Sequence, residues 1–220
     1  MWFYIFCKRV GDLMFSVLGL IVISPLFLVV AIIISIVSPG PVFYKAKRVG
    51  KDGKVFVCYK FRTMCVDSGK VKLTTLKNDE RIFPFGRFLR NTKLDELPQL
   101  LNIIKGQMSI VGPRPEDEIN AELIYENKYK KILSIKPGLT SPATLYDFTH
   151  GEKYESEELY AKEFLPQKLK LEMYYVDNRS ILYDIKLIFR TAKIILLSMS
   201  GKESFKEPEE LYRMEENGGL

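Results

Sequence analysis

Asp95 and Glu96 are adjacent carboxylates in the run Leu94-Asp95-Glu96-Leu97-Pro98-Gln99-Leu100. The spacing Thr92-x-x-Asp95 also reads as a helix capping box, a purely structural use of the same residues. Pro98 argues against a regular helix start, because it disturbs the backbone three residues later. Two acids at a distorted helix start, close to arginine and lysine, stay ionised at neutral pH, since cations and the helix N-terminus favour the anion. An ionised carboxylate can attack as a nucleophile or bind a hard cation such as Mg2+. Downstream, Gly112-Pro113-Arg114-Pro115 places one arginine between two prolines, which restrict the backbone and aim a guanidinium suited to phosphate oxygens. A rigid turn carrying a solvated arginine is the plainer alternative. Lys60 and Arg62 add further phosphate candidates. The only histidine is His150, and Cys7, Cys58 and Cys65 form neither a CxxC pair nor an even framework. Histidine-based catalysis, a zinc ribbon and a disulfide-stapled fold are therefore disfavoured. Carboxylates, lysine and arginine must carry any chemistry.

Several elements have to position these groups. Val42–Lys45 and Val55–Phe61, joined across Gly50–Gly53, read as a β-hairpin. Residues 67–80 read as a polar loop. Arg81–Arg90 mixes Phe83, Phe85 and Phe88 with Arg81, Arg87 and Arg90, a pattern that suits either a membrane interface or a core helix with a charged face. Leu94, Leu97, Leu100, Leu101 and Ile104 follow helical spacing up to a stop at Lys105-Gly106. The sequence predicts a helix over 116–134, a loop over 138–152 and a helix over 157–176 kinked at Pro166. Residues 180–198 form an amphipathic helix that could pack on the domain or lie on a membrane. The tail from Gly201 is expected to be charged and flexible.

Leu13–Val37 carries no charge and is long enough to cross a hydrocarbon core. Ser24-Pro25 sits at its midpoint, where a proline kinks a helix. Lys8 and Arg9 precede it, and Lys45, Lys47 and Arg48 follow, so the positive-inside rule favours the same side for both ends. A kinked span and a re-entrant helix both remain open on this physics. The net charge of +6 is concentrated: residues 38–66 hold seven Lys/Arg against Asp52 alone. Such a block suits anionic headgroups, a phosphorylated substrate or nucleic acid.

Taken in order, Lys8-Arg9-x-x-Asp12, Ser24-Pro25, Tyr59-Lys60-Phe61-Arg62-Thr63-Met64, the 94–100 run, Asn102-x-x-Lys105-Gly106-x-Met108-Ser109-x-Val111-Gly112-Pro113-Arg114-Pro115 and Lys136-Pro137-Gly138 resemble the bacterial sugar transferases of the monotopic phosphoglycosyl transferase family, in its small, catalytic-domain form. The resemblance runs from about residue 6 to residue 198, and its 94–115 stretch is the most specific part. It implies an α+β fold: a mostly helical, membrane-associated domain with a short β-hairpin and an N-terminal re-entrant membrane helix broken at Ser24-Pro25. It divides the chain into a membrane helix with a basic anchor (1–40), a membrane-surface catalytic domain (41–200) and a charged tail (201–220). It implies transfer of a sugar phosphate from a UDP-sugar to undecaprenyl phosphate with release of UMP, on the cytoplasmic face of the bacterial inner membrane. Asp95 matches the nucleophile and Glu96 its partner in the dyad, with Mg2+ as the cofactor at these two carboxylates. Lys60, Arg62, Arg114 and Glu172 would bind the phosphorylated substrate, and Lys8, Arg9, Asp12, Ser24 and Pro25 would anchor the membrane helix. Membrane lipids are implied partners and nucleic acid is not; a homo-oligomer stays open. The arginine usual in the family after Lys-Pro-Gly is absent from Leu139–Asp147, and Glu172 stands where an aspartate is usual. A non-catalytic membrane scaffold and a membrane phosphodiesterase are the alternative functions.

Overall fold

A computed structural model describes residues 2–66, 79–118, 127–151, 154, 157–202 and 204–216. Trp2–Val37 forms one helix of 36 residues, α1. Pro25 lies inside this helix, where the break was expected. Pro25 cannot supply the N–H that would reach the Ile21 carbonyl. Ser24 Oγ donates to that carbonyl at 2.8 Å and takes the missing donor's place.

α1 buries Asp12 and Ser16 near one end and Val30 and Ile34 near the other. Most of the large apolar side chains between them, among them Ile21, Val22, Leu28 and Val29, are exposed. An uncovered apolar surface of this extent marks a lipid or partner contact. Both ends of α1 are fastened to the rest of the chain. Lys8 Nζ lies 2.6 Å from Asp184 Oδ2. Arg9 donates to the Ile103 and Ile104 carbonyls at 2.6 and 3.0 Å. Buried Asp12 accepts from Ser109 Oγ at 2.7 Å and from the Ile110 N–H at 3.1 Å. At the other end Arg62 donates to Ser38 Oγ and the Pro39 carbonyl, both at 3.1 Å, and to the Ser38 carbonyl.

The hairpin forms as expected, with a longer first strand: β1 (Phe43–Val49) pairs antiparallel with β2 (Val55–Phe61). Ala46, Phe56 and Cys58 pack on Ile103 and Met108. α2 (Pro84–Asn91) and α3 (Leu100–Ile104) flank a 3-10 turn, Leu94–Gln99. Val30 and Ile34 of α1 share a cluster with Phe61, Phe83 and Leu89, and Leu94 packs against it. α1 thus abuts the turn that carries the acid pair.

The region predicted as loop over 138–152 is ordered differently. β3 (Ser109–Val111) pairs in parallel with β4 (Gly138–Thr140), and α4 (Pro142–His150) follows. Ser141 caps α4 by accepting from the Thr144 N–H, with Pro142 in the first turn, a helix start that the glycine and proline at 137–138 masked. Glu157–Leu159 opens a helical stretch in which a π-helical turn, Tyr160–Phe164, precedes α5 (Leu165–Asn178), with Pro166 in the first turn of α5. α6 (Ile181–Met199) matches its expected range. Of the helix predicted over 116–134, residues 127–134 form a 3-10 helix and 119–126 lie outside the described residues, as do 67–78 of the predicted polar loop.

The tail from Gly201, expected to be flexible, includes a docked helix, α7 (Glu209–Glu216). Glu210 accepts from Arg190 NH1 at 2.8 and 2.9 Å and from Tyr183 OH at 3.0 Å. Leu211 enters a cluster with Tyr146, Phe164 and Leu171. These contacts offset the entropy of ordering the tail. Among the described residues the fold is mostly helical, with two small two-stranded sheets and one long apolar N-terminal helix.

Candidate active site

The 3-10 turn sets Asp95 and Glu96. Lys93, at φ 58 and ψ 15, starts the turn in the left-handed region, and Pro98 lacks the N–H that a regular α-helix would use there. No capping box forms. Thr92 Oγ1 instead donates to the Phe88 and Leu89 carbonyls at 2.8 and 3.2 Å, closing α2. Asp95 is therefore not spent on a cap. Among the described residues its buried Oδ1 has no hydrogen-bond partner. Such an atom is costly unless a ligand or a reaction uses it.

Cations surround the pair. Lys60, near the end of β2, lies 2.8 Å from Glu96 Oε1. Arg114, three residues beyond β3, places NH1 3.9 Å from Glu96 Oε1 and Nε 4.0 Å from Asp147 Oδ2. β2 itself is pinned by buried Asn102, which accepts from the Tyr59 N–H at 3.0 Å and donates to the Val57 carbonyl at 2.6 Å. Burial, then the Glu96 charge, raises the Asp95 carboxyl above the usual carboxylate range, against the pull of Lys60, Lys93 and Arg90. Burial acts upward on Glu96 too, but Lys60, Lys93 and Arg114 outweigh it and hold that carboxyl well below the usual range. Glu96 thus carries the stable negative charge. Asp95 is the carboxyl whose surroundings disfavour its charge, and Glu96 the one whose surroundings favour it.

Glu172 is buried against the backbone of Arg114 and the side chain of Ser141. It is 2% exposed. Its Oε1 accepts from the Arg114 N–H at 2.9 Å and from Ser141 Oγ at 3.3 Å. It therefore holds the Pro113-Arg114-Pro115 backbone and the start of α4. Burial raises its pKa to about 7, despite the bond from Arg114 and the charge of Lys168. A carboxyl raised in the fold contributes stability below its unfolded value near 4.5 and loses it as pH rises through 7. Glu172→Gln, isosteric and never charged, should flatten the fall in thermal midpoint between pH 4.5 and 7. Melting curves across that range check this; an unchanged slope would remove Glu172 as its source.

Arg62 does not join the constellation: its guanidinium is buried against Ser38 and Pro39 at the end of α1. Lys8, Arg9 and Asp12 fasten the other end of α1 and also stand outside it. Lys93, Asp147, Lys168 and Glu116 are site residues that the sequence reading passed over. Tyr160 OH donates to Asp147 Oδ1 at 3.0 Å, and Lys168 pairs with Glu116 Oε1 at 2.9 Å. Burial pushes Asp147 up, yet Lys168 and Arg114 bring it below the usual range. The Ser141-Pro142 helix start would have placed Asp147 on a helix, and Lys93 is two residues from Asp95.

Among the described residues, no group of three or more His, Cys, Asp or Glu could hold a metal by itself. Mg2+ commonly takes one or two carboxylates and completes its shell with water and substrate phosphates. Two hard carboxylates, one with an unspent buried oxygen, fit that donor set.

A long apolar helix is fastened at both ends to the rest of the chain, and an acid pair with cations around it lies beside one end. The family described as bacterial sugar transferase matches residues 3–198, and the chain belongs to it. It is 35% identical over 192 residues to the UDP-glucose:undecaprenyl-phosphate glucose-1-phosphate transferase of Escherichia coli, covering 84% of this chain and 39% of that protein. It is 34% identical over 207 residues to the UDP-N-acetylgalactosamine-undecaprenyl-phosphate N-acetylgalactosaminephosphotransferase of Aeromonas hydrophila, covering 90% of this chain and 46% of that protein. The chain thus spans less than half the length of these relatives. It is 36% identical over 207 residues to the exopolysaccharide production protein ExoY of Sinorhizobium fredii, covering 87% and 86% of the two chains.

Proposed function

We propose that this chain moves a sugar phosphate from a UDP-sugar to undecaprenyl phosphate, releasing UMP, through a phosphosugar adduct on Asp95 at the cytoplasmic face of the bacterial inner membrane. The observation that carries this reading is the buried, unpartnered Asp95 Oδ1 beside a Glu96 already neutralised by Lys60 and Arg114. In the first step an Asp95 carboxylate oxygen bonds to the sugar-bearing phosphorus. The bond from that phosphorus to the UMP phosphate oxygen breaks, and UMP leaves with the electron pair. In the second step an oxygen of the prenyl phosphate bonds to the same phosphorus, and the Asp95 oxygen departs as carboxylate. The acceptor is already anionic, so it needs positioning more than deprotonation. Lys60 and Arg114 offset the negative charge that would otherwise repel an anionic nucleophile, and do so best where water is scarce. Mg2+ at the two carboxylates would supply further neutralisation of the diphosphate.

The placement of α1 supports a re-entrant rather than crossing helix. Lys8, Arg9 and Asp12 at one end and Ser38 and Pro39 at the other bond to the same domain, so both ends belong on one side of the bilayer. Exposed Phe88 on α2 and Leu182, Phe189 and Leu196 on α6 offer further apolar surface for the interface.

A UMP-release assay on the full chain, with Mg2+ and UDP-glucose, UDP-N-acetylgalactosamine or UDP-galactose, tests the reading. With no prenyl phosphate, the donor should yield about one UMP per enzyme and label Asp95; sustained release should need the acceptor. Sustained release without acceptor would make the protein a phosphodiesterase, and no release from any donor would leave a scaffold.

A further inference from the structure

Four basic side chains, Lys60, Arg90, Lys93 and Arg114, act on the acid pair, and three of them are engaged by the protein. Lys60 is 2.8 Å from Glu96. Arg114 stands between Glu96 and Asp147. Arg90 donates from Nε to Thr63 Oγ1 at 2.9 Å. Lys93 differs. Among the described residues its ammonium makes no hydrogen bond and no ion pair; it rests over the Phe148 ring, 4.7 Å from the centroid. A ring face steadies a cation but leaves its three N–H donors free of conventional acceptors. The side chain is half-buried, two residues from Asp95, and its charge bears on Asp95, Glu96 and Asp147.

The backbone adds an independent observation. Lys93 adopts φ 58 and ψ 15, a left-handed conformation that glycine or asparagine takes at less cost. It links α2 to the 3-10 turn, donating its N–H to the Arg90 carbonyl at 3.1 Å and accepting from the Glu96 N–H at 3.2 Å. Those backbone bonds need no lysine side chain. Strain held beside a reactive pair, at a position where the side chain engages none of the neighbouring carboxylates, points to a ligand as the partner of that charge.

On the transferase reading above, we propose that Lys93 binds the transferring phosphoryl group, donating to its non-bridging oxygens from its place over the Phe148 ring. Lys60 also pairs with Glu96 and Arg114 with Glu96 and Asp147; of the four cations, Lys93 is the one whose head group no described residue engages by hydrogen bond or ion pair. The same phosphoryl occupies the site in both half-reactions, so Lys93 acts in both.

The test separates strain from charge. Lys93→Gly relieves the left-handed backbone and deletes the ammonium. Lys93→Met deletes the ammonium and keeps the strain. Lys93→Arg keeps the charge. Each is made in the full chain in lipid nanodiscs with Mg2+, beside Lys54→Met, an exposed turn position. Binding of the best donor from the panel above is measured in an Asp95→Asn background, where no turnover intervenes, and UMP release in the otherwise wild-type chain. Lys93→Gly should melt at or above wild type, yet it and Lys93→Met should weaken donor binding by about tenfold. Lys93→Arg should stay within about threefold and Lys54→Met should be unchanged. Unaltered donor binding in Lys93→Gly and Lys93→Met overturns the proposal. So does an effect confined to the KM for prenyl phosphate, or a lower melting point for Lys93→Gly, which would give the lysine a packing role. Absence of donor binding in the Asp95→Asn chain that retains Lys93, together with absence of UMP release in wild type, would instead remove the transferase reading itself.

Discussion

Asp95→Asn should lower UMP release by at least about a thousandfold, because an amide oxygen does not form the covalent bond that the two-step route requires. The same substitution should not weaken the fold. Asp95 Oδ1 has no hydrogen-bond partner to lose. Burial and the adjacent Glu96 already disfavour its charge. A neutral isostere removes like-charge repulsion inside a buried site, so the melting point should equal or exceed that of wild type. Transfer assays and melts on the same preparation separate loss of chemistry from loss of structure. Near wild-type transfer by the variant would take Asp95 out of the nucleophile role. Lost transfer with a falling melting point would show that the carboxylate supports the fold in a way its surroundings do not account for.

The parts of this site that were legible in the sequence are those set by local chemistry. Adjacent acids before a proline, an arginine between two prolines and an alternating strand ending near Lys60 all signal through neighbours within a few positions. Arg62 shows where that logic stops. It sits two residues from Lys60 in the same run, yet the end of α1, more than twenty residues away, takes its guanidinium. Only the tertiary placement of Ser38 and Pro39 decides between substrate and helix end. β4 and α4 were missed for another reason. A three-residue strand shows no periodicity, and Pro137-Gly138 reads as a breaker when its role is to let two backbones meet. At Ser24-Pro25 proline leaves the Ile21 carbonyl without its donor, and the adjacent Ser24 hydroxyl donates to it instead.

That meeting of backbones yields the second large effect. Gly138 does not have a positive φ, so conformational freedom is not its reason. A Cβ there would lie 2.6 Å from Gly112 Cα and 2.7 Å from the Gly112 carbonyl oxygen, against backbone that cannot swing aside. A Cβ on Gly112 would in turn stand 2.6 Å from the Lys136 carbonyl oxygen. The close pairing is held by the Gly112 N–H to the Thr140 carbonyl at 2.9 Å and the Gly138 N–H to the Pro113 carbonyl at 2.8 Å. Arg114 follows one strand and α4, with Asp147, follows the other, so parting the strands separates the two sides of the site. Gly138→Ala should cost about 3 kcal/mol of stability through overpacking. In the fraction that folds, a shift of about 1 Å at Arg114 should reduce transfer by about a hundredfold. Gly11→Ala is the matched control: it lies in α1, its Cβ would meet nothing within 4 Å, and it should be neutral or slightly stabilising. Chemical denaturation and UMP release measured on both variants test the pair. Equal stability and transfer for Gly138→Ala and Gly11→Ala would mean that the strand contact does not position Arg114, and with it would go the structural account of why Lys136-Pro137-Gly138 ends in glycine.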